Sequence, residues 1–178
     1  TSAGGRLFHE GDDWQWFDTQ SATFEFPGKL LITWEGLSSV HARPFENVAT
    51  GCMVYGLDGA VLFRPNDTCA LFDKNGTQLR EWNATNLAGD GTDRANPTGG
   101  LDVAHLGDWA RCIREKDVKT RTPADEAHAS ILLTHLANIA ARTGETVTLD
   151  PSTGRLVQNS AVAELWHREY EKGWEMKV

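Results

Sequence analysis

The sequence is poor in the features that would tie it to several common classes of protein. Its 178 residues hold three cysteines, Cys52, Cys69 and Cys112, widely spaced and odd in number. They make neither a disulfide framework nor a C-x-x-C metal clip, and are expected as small buried thiols. No apolar run approaches the ~20 residues needed to cross a bilayer, so no membrane is expected as a partner. No five-residue basic run occurs, and 17 Lys plus Arg against 25 Asp plus Glu leave a net charge of −8. Nucleic acid and anionic membranes are both drawn to clustered positive charge, and neither is an expected partner. The opening Thr1-Ser2-Ala3-Gly4-Gly5-Arg6 has neither an initiator Met nor a secretory pattern. The chain is expected to be cut from something longer, and its compartment stays open between cytoplasm and periplasm.

What remains is an ordinary globular composition, 40% hydrophobic with mixed charge, long enough to bury a core and sized for a single domain over 1–178. Asn66, Asn75 and Asn83 head N-x-[ST] sequons and read as turn asparagines, since nothing marks a eukaryotic secretory context.

The first 82 residues read as strands and the last 78 as helices, a segregation that indicates α+β rather than alternating α/β. In Ala22–Phe26 the apolar side chains alternate, Pro27-Gly28 supplies turn chemistry, and Leu30, Ile32 and Trp34 resume the alternation. A second hairpin joins Cys52–Tyr55 to Ala60–Phe63 through Gly56-Leu57-Asp58-Gly59. A third joins Cys69–Phe72 to Thr77–Trp82 through Asp73-Lys74-Asn75-Gly76, whose Asn-Gly is a strong hairpin signal. These strands predict an open, largely antiparallel meander with helices packed on one face.

Residues 83–100 are rich in Gly, Asn, Asp and Thr and predict a long polar loop. Leu106, Trp109, Ala110 and Ile113 then share one helical face, which is expected to pack on the sheet. The next helix has Thr122 as N-cap, Pro123 at its first position and Asp125 in its first turn, with Gly144 to end it. Its nearly all-apolar body, Ala127–Ala141, predicts the central buried helix. Thr146–Leu149 reads as a short edge strand, and Asn159 as the cap of a last helix carrying Val162, Leu165 and Trp166.

Few residues form a pattern that chemistry demands. Gly89-Asp90-Gly91 opens a phosphate-loop pattern, but position 94 is Arg, and no strand runs directly into it nor helix directly out. No hydroxyl or thiol sits in an activating context such as G-x-S-x-G, and no two carboxylates are singled out as a hydrolase pair would be. His128 and His135 lie two helical turns apart, too far to share a metal unaided, and read as buried or half-buried hydrogen-bonding groups. His105 and Asp108 are spaced i, i+3 after the polar loop; they suit either a substrate contact or a helix start. Trp34 and Glu35, followed by Ser38, Ser39, His41 and Arg43, combine an indole with charged groups. A polyhydroxylated ligand uses that combination, and an exposed strand end shows it too. Asp12, Asp13, Trp14 and Trp16 suit a partner patch or an acidic loop with one covered ring.

Five segments in order resemble the carboxy-terminal domain of the Gfo/Idh/MocA oxidoreductases, the family of glucose–fructose oxidoreductase and inositol dehydrogenase. They are Phe24–Gly28 running to Trp34-Glu35-Gly36; Val54–Gly59; His105–Arg114; Ala127-His128 to His135–Ala140; and Asp150-Pro151 to Arg168-Glu169-Tyr170 with Trp174. The likeness covers nearly the whole chain. It implies a second α+β domain that shapes a sugar or polyol site and builds a homo-oligomer through the open face of its sheet. The family's amino-terminal Rossmann domain, with G-x-G-x-x-G, an E-K-P segment and a D-x-x-x-H segment, has no counterpart here. NAD or NADP is expected in the full-length protein and no cofactor in this chain, which is expected to be inactive alone. Trp34, Glu35, Arg43 and His105 are the expected substrate contacts, with no catalytic or metal-binding residue among them. The alternative is a non-enzymatic carbohydrate-binding or scaffold module of the same fold.

Overall fold

The computed structural model describes residues 1–38, 50–64, 68–83, 99–116, 119–120, 123–157 and 161–175, the side chains of 99–102 excepted. Its elements are β1 (Ser2–Gly5), β2 (Thr19–Phe26), β3 (Leu30–Leu37), β4 (Cys52–Tyr55), β5 (Gly59–Phe63), β6 (Thr68–Asp73), β7 (Gln78–Asn83), α1 (Gly99–Glu115), α2 (Ala124–Thr143) and α3 (Ala161–Trp166). The fold is α+β with open antiparallel sheets. The strands form two sheets, β1-β2-β3 and β4-β5-β6-β7, where the turn chemistry had predicted one meander. The stretch from Leu37 to Cys52 is far longer than the ~2–5 residues of a tight hairpin, so turn chemistry does not dictate that β3 and β4 pair. The chain divides into two compact units, Thr1–Val40 with Ala124–Val178, and His41–Pro123.

In the first unit β2 pairs in register with β3, so that Phe26 faces Leu30, Phe24 faces Ile32 and Ala22 faces Trp34. The turn between them holds Gly28 and Lys29 at φ values of 83° and 67°. β1, unsuspected in the sequence because its four residues are small and show no alternation of large apolar side chains, pairs with the other edge of β2. Buried Gln20 fastens α2 to this sheet: its amide donates to the Ala137 carbonyl (3.3 Å), Asn138 Oδ1 (3.4 Å) and Ser2 Oγ (3.1 Å). Ala22, Ala137, Ile139, Ala140 and Val162 complete a small core.

The expectation of a wholly buried α2 is corrected. Its residues up to Ile131 are exposed, and only the second half buries a face against the sheet and α3. Gly144 ends the helix in the left-handed conformation (φ 70°), its N–H donating to the Ala140 carbonyl. Thr146–Leu149 forms one bridge, Leu149 to Leu156, rather than a strand. Thr122 and Asn159, expected as caps, lie outside the described residues, as do Asn66 and nearly all of the expected 83–100 loop.

In the second unit the hairpins β4–β5 and β6–β7 lie where turn chemistry placed them. Asp73 Oδ1 accepts the N–H groups of Asn75 and Thr77 across the β6–β7 turn, and the pairing shifts register between Leu71 and Phe72. Gly59 is needed for close approach, since a Cβ there would lie 2.0 Å from the Phe72 carbonyl oxygen. Leu62 and Ala70 are buried. The apolar face expected of α1 is real, but Leu106, Trp109 and Ile113 are each more than half exposed and do not pack as predicted. Cys52 is also exposed, against the expectation of buried thiols, while Cys69 and Cys112 are half-buried and all three are free.

Candidate functional site

Strand alternation decides what Trp34 and Glu35 can do. Adjacent strand residues point to opposite faces, so Trp34 shares the face of Ala22, while Glu35 shares that of Ser21. Trp34 is half exposed, and its ring lies along the strand over Gly36: a Cβ at Gly36 would come within 2.2 Å of Cη2. The indole thus offers a flat apolar surface at the end of β3, next to an exposed Glu35 carboxylate on the other face. Arg43 lies outside the described residues, and His105 is exposed on α1 in the second unit. Asp108, expected beside His105, is nearly buried and bonds the Arg111 guanidinium at 2.5 Å, while Arg111 also reaches Glu115 at 3.1 Å. These two carboxylates, Asp108 first, raise the Arg111 pKa above its ordinary value.

A second arrangement, in the first unit, escaped the sequence. His128, Leu132, His135, Ile139 and Arg142 recur at alternating steps of four and three and so share one face of α2. They line a cleft of about 530 Å³ with Asn138, also of α2. Its other wall is Leu165, Trp166, His167 and Arg168 at the end of α3, together with Trp16 from the segment before β2. His128 and His135 are therefore exposed cleft residues, which corrects the expectation that they are buried hydrogen-bonding groups. The i, i+4, i+7 pattern was visible, but an apolar helix body masks its polar stripe. Of the amino-terminal pair, Trp16 is the covered ring: it stacks on Phe17 with centroids 5.7 Å apart and carries the Arg142 guanidinium 5.4 Å from its centroid. Trp14 remains two-thirds exposed.

The loop leading to Trp16 is organised by Asp18, which sequence reasoning missed. Its carboxylate is buried, accepts the N–H groups of Leu7 (3.0 Å), Phe8 (3.0 Å) and His9 (2.8 Å), and accepts the Thr19 hydroxyl at 2.9 Å. These donors, His9 foremost, outweigh burial and hold its carboxyl well below the usual carboxylate range. Arg6, bonded to Asp12 and to the His9 carbonyl, braces the same loop.

Among the described residues no group of three His, Cys, Asp or Glu side chains converges to hold a metal ion, and no helix is long and apolar enough to cross a membrane. The class that the fold and these sites define is an α+β protein of open antiparallel sheets. No protein-family model, curated protein or solved structure matches the chain.

Proposed function

We propose that this chain is the substrate-binding and oligomerisation part of an NAD(P)-dependent sugar or polyol oxidoreductase of the Gfo/Idh/MocA kind. The observation that carries the reading is the β2–β3 hairpin. Phe26, Leu30, Ile32 and Trp34 share one face of that hairpin, and each is more than a third exposed. It is the face on which Ala22 is buried and Gln20 bonds α2, not the open face expected to join copies. Folded chains seldom leave so continuous an apolar row to water unless another surface covers it. A second copy of the same sheet is the partner that symmetry favours. The half-exposed indole of Trp34 offers the flat face that a polyhydroxylated substrate engages; Glu35, Arg43 and His105 are proposed as contacts on the sequence alone.

The described strands are all joined antiparallel, whereas the resemblance gives the dinucleotide to a separate domain built on parallel strands. The proposal therefore places the cofactor and the proton-transferring groups on residues outside these 178, and the chain alone turns over no substrate.

Two observations test it. The coding sequence ahead of Thr1 should carry a strand followed by G-x-G-x-x-G and then E-K-P. An unrelated domain there would leave a non-enzymatic carbohydrate-binding module instead. In the full-length protein, alanine at Trp34, Glu35, Arg43 or His105 should weaken sugar or polyol affinity, and unchanged affinity in all four would refute the substrate contacts.

A further inference from the structure

We propose that the cleft of the first unit, between the His128–Arg142 face of α2, the end of α3 and Trp16, binds a small phosphorylated molecule with a flat ring body. The site shares no residue with the substrate contacts proposed above and stands or falls without them. Its volume of about 530 Å³ is that of a small-molecule site, for which ~300–1,000 Å³ is usual.

Its charge is the reverse of the chain's. In a sequence of net charge −8, the cleft gathers Arg142, Arg168 and three imidazoles, and none of its lining side chains is a carboxylate. Glu164 and Glu169 are neighbours in sequence but do not line it. Neither arginine forms an ion pair with a described carboxylate. Each is engaged instead over an aromatic ring, Arg142 at 5.4 Å from the Trp16 centroid and Arg168 at 5.7 Å from that of Tyr170. A guanidinium over a ring keeps its N–H edge available to an anion while its face stays packed.

Two guanidinium forks and imidazole N–H groups offer more donors than one carboxylate accepts. A phosphate monoester carries about −1.5 to −2 charge near neutral pH and three acceptor oxygens. The flat part of the ligand follows from the walls: Trp16 and Trp166 are half-buried indoles, with Leu132, Ile139 and Leu165 beside them. Such walls accept the face of a ring, whether aromatic or the C–H face of a sugar. The imidazoles act here as hydrogen-bonding groups, since no metal-ligand cluster forms among the described residues.

The test is a titration of the chain with phenyl phosphate at fixed ionic strength, followed by calorimetry and by the indole N–H signals of Trp16 and Trp166. Saturable one-site binding is expected, weaker with inorganic phosphate and weakest with phenol. Arg142→Gln and Arg168→Gln should each weaken phenyl phosphate about tenfold or more, the scale of a lost charge-assisted bond. Arg142→Lys should fall between parent and R142Q, because it keeps charge but loses the fork. Circular dichroism matching the parent shows that a weakened variant is folded; a misfolded R142Q leaves R168Q, beyond α3, to decide. Lys29→Gln, at the β2–β3 turn and outside the cleft lining, should leave affinity unchanged. Non-saturable binding, equal affinity for phenol, or equal loss in Lys29→Gln and the arginine variants would overturn the proposal.

Discussion

Asp18 shows how one side chain can organise a segment that has no regular structure. Three consecutive backbone N–H groups, Leu7 to His9, converge on its carboxylate, which does for this loop what a capping residue does for a helix end. Asp18→Asn offers one acceptor oxygen in place of two and should lower the thermal midpoint by roughly 5 °C or more. The pH dependence has a definite sign. Because the folded carboxyl is held below its ordinary value of 3.8, its contribution is fully present above that pH and lost as pH falls toward the folded value. Melting curves of parent and D18N should therefore differ most at neutral pH and converge in acid. Asp12, Asp73 and Asp150 are likewise depressed, each by local hydrogen bonds, and add to acid sensitivity in the same direction. Gly36 is a second single-residue constraint: Gly36→Ala should displace the Trp34 ring, seen as a shifted Trp34 indole signal, with little loss of stability because the atoms it meets are the far end of a half-exposed side chain.

At the scale of elements, the hairpins were legible and the helices only in part. Pro27-Gly28, Gly56–Gly59 and Asn75-Gly76 are local signals, and the strands around them pair as expected because turn geometry sets register without outside help. Whether a helix face is covered depends on what tertiary structure brings to it. Leu106, Trp109 and Ile113 form a correct amphipathic stripe that stays exposed, and α2 is buried only where β1, β2 and α3 meet it. The same reasoning explains why the cleft was missed: its α2 stripe is readable, but Trp16 and Arg168 reach it from far away in sequence. Burial also ranks the elements for mutation. Leu62 of β5 is 1% exposed, and Leu62→Ala should destabilise its unit by about 2–5 kcal/mol in denaturant unfolding, the cost of a lost side chain plus its cavity.

For the whole molecule, the apolar row on β2–β3 is the feature with the largest consequence. If that row joins two copies, the chain should scatter light as a dimer or larger at tens of micromolar. Ile32→Lys should return it to a monomer with an unchanged β-sheet circular-dichroism signal. A parent chain that stays monomeric at high concentration would remove the oligomerisation half of the proposed function.

The residue order alone determined the strand-then-helix segregation, the positions of three hairpins, the helix stop at Gly144 and the acidic balance, because each depends on neighbours in sequence or on simple summation. Tertiary structure decided that the strands split into two sheets and that Asp18 closes the amino-terminal loop. It also decided that two arginines and three histidines line one cleft. Those facts are contacts between residues distant in the chain, and their geometry is set by how packed elements meet, which no local pattern records.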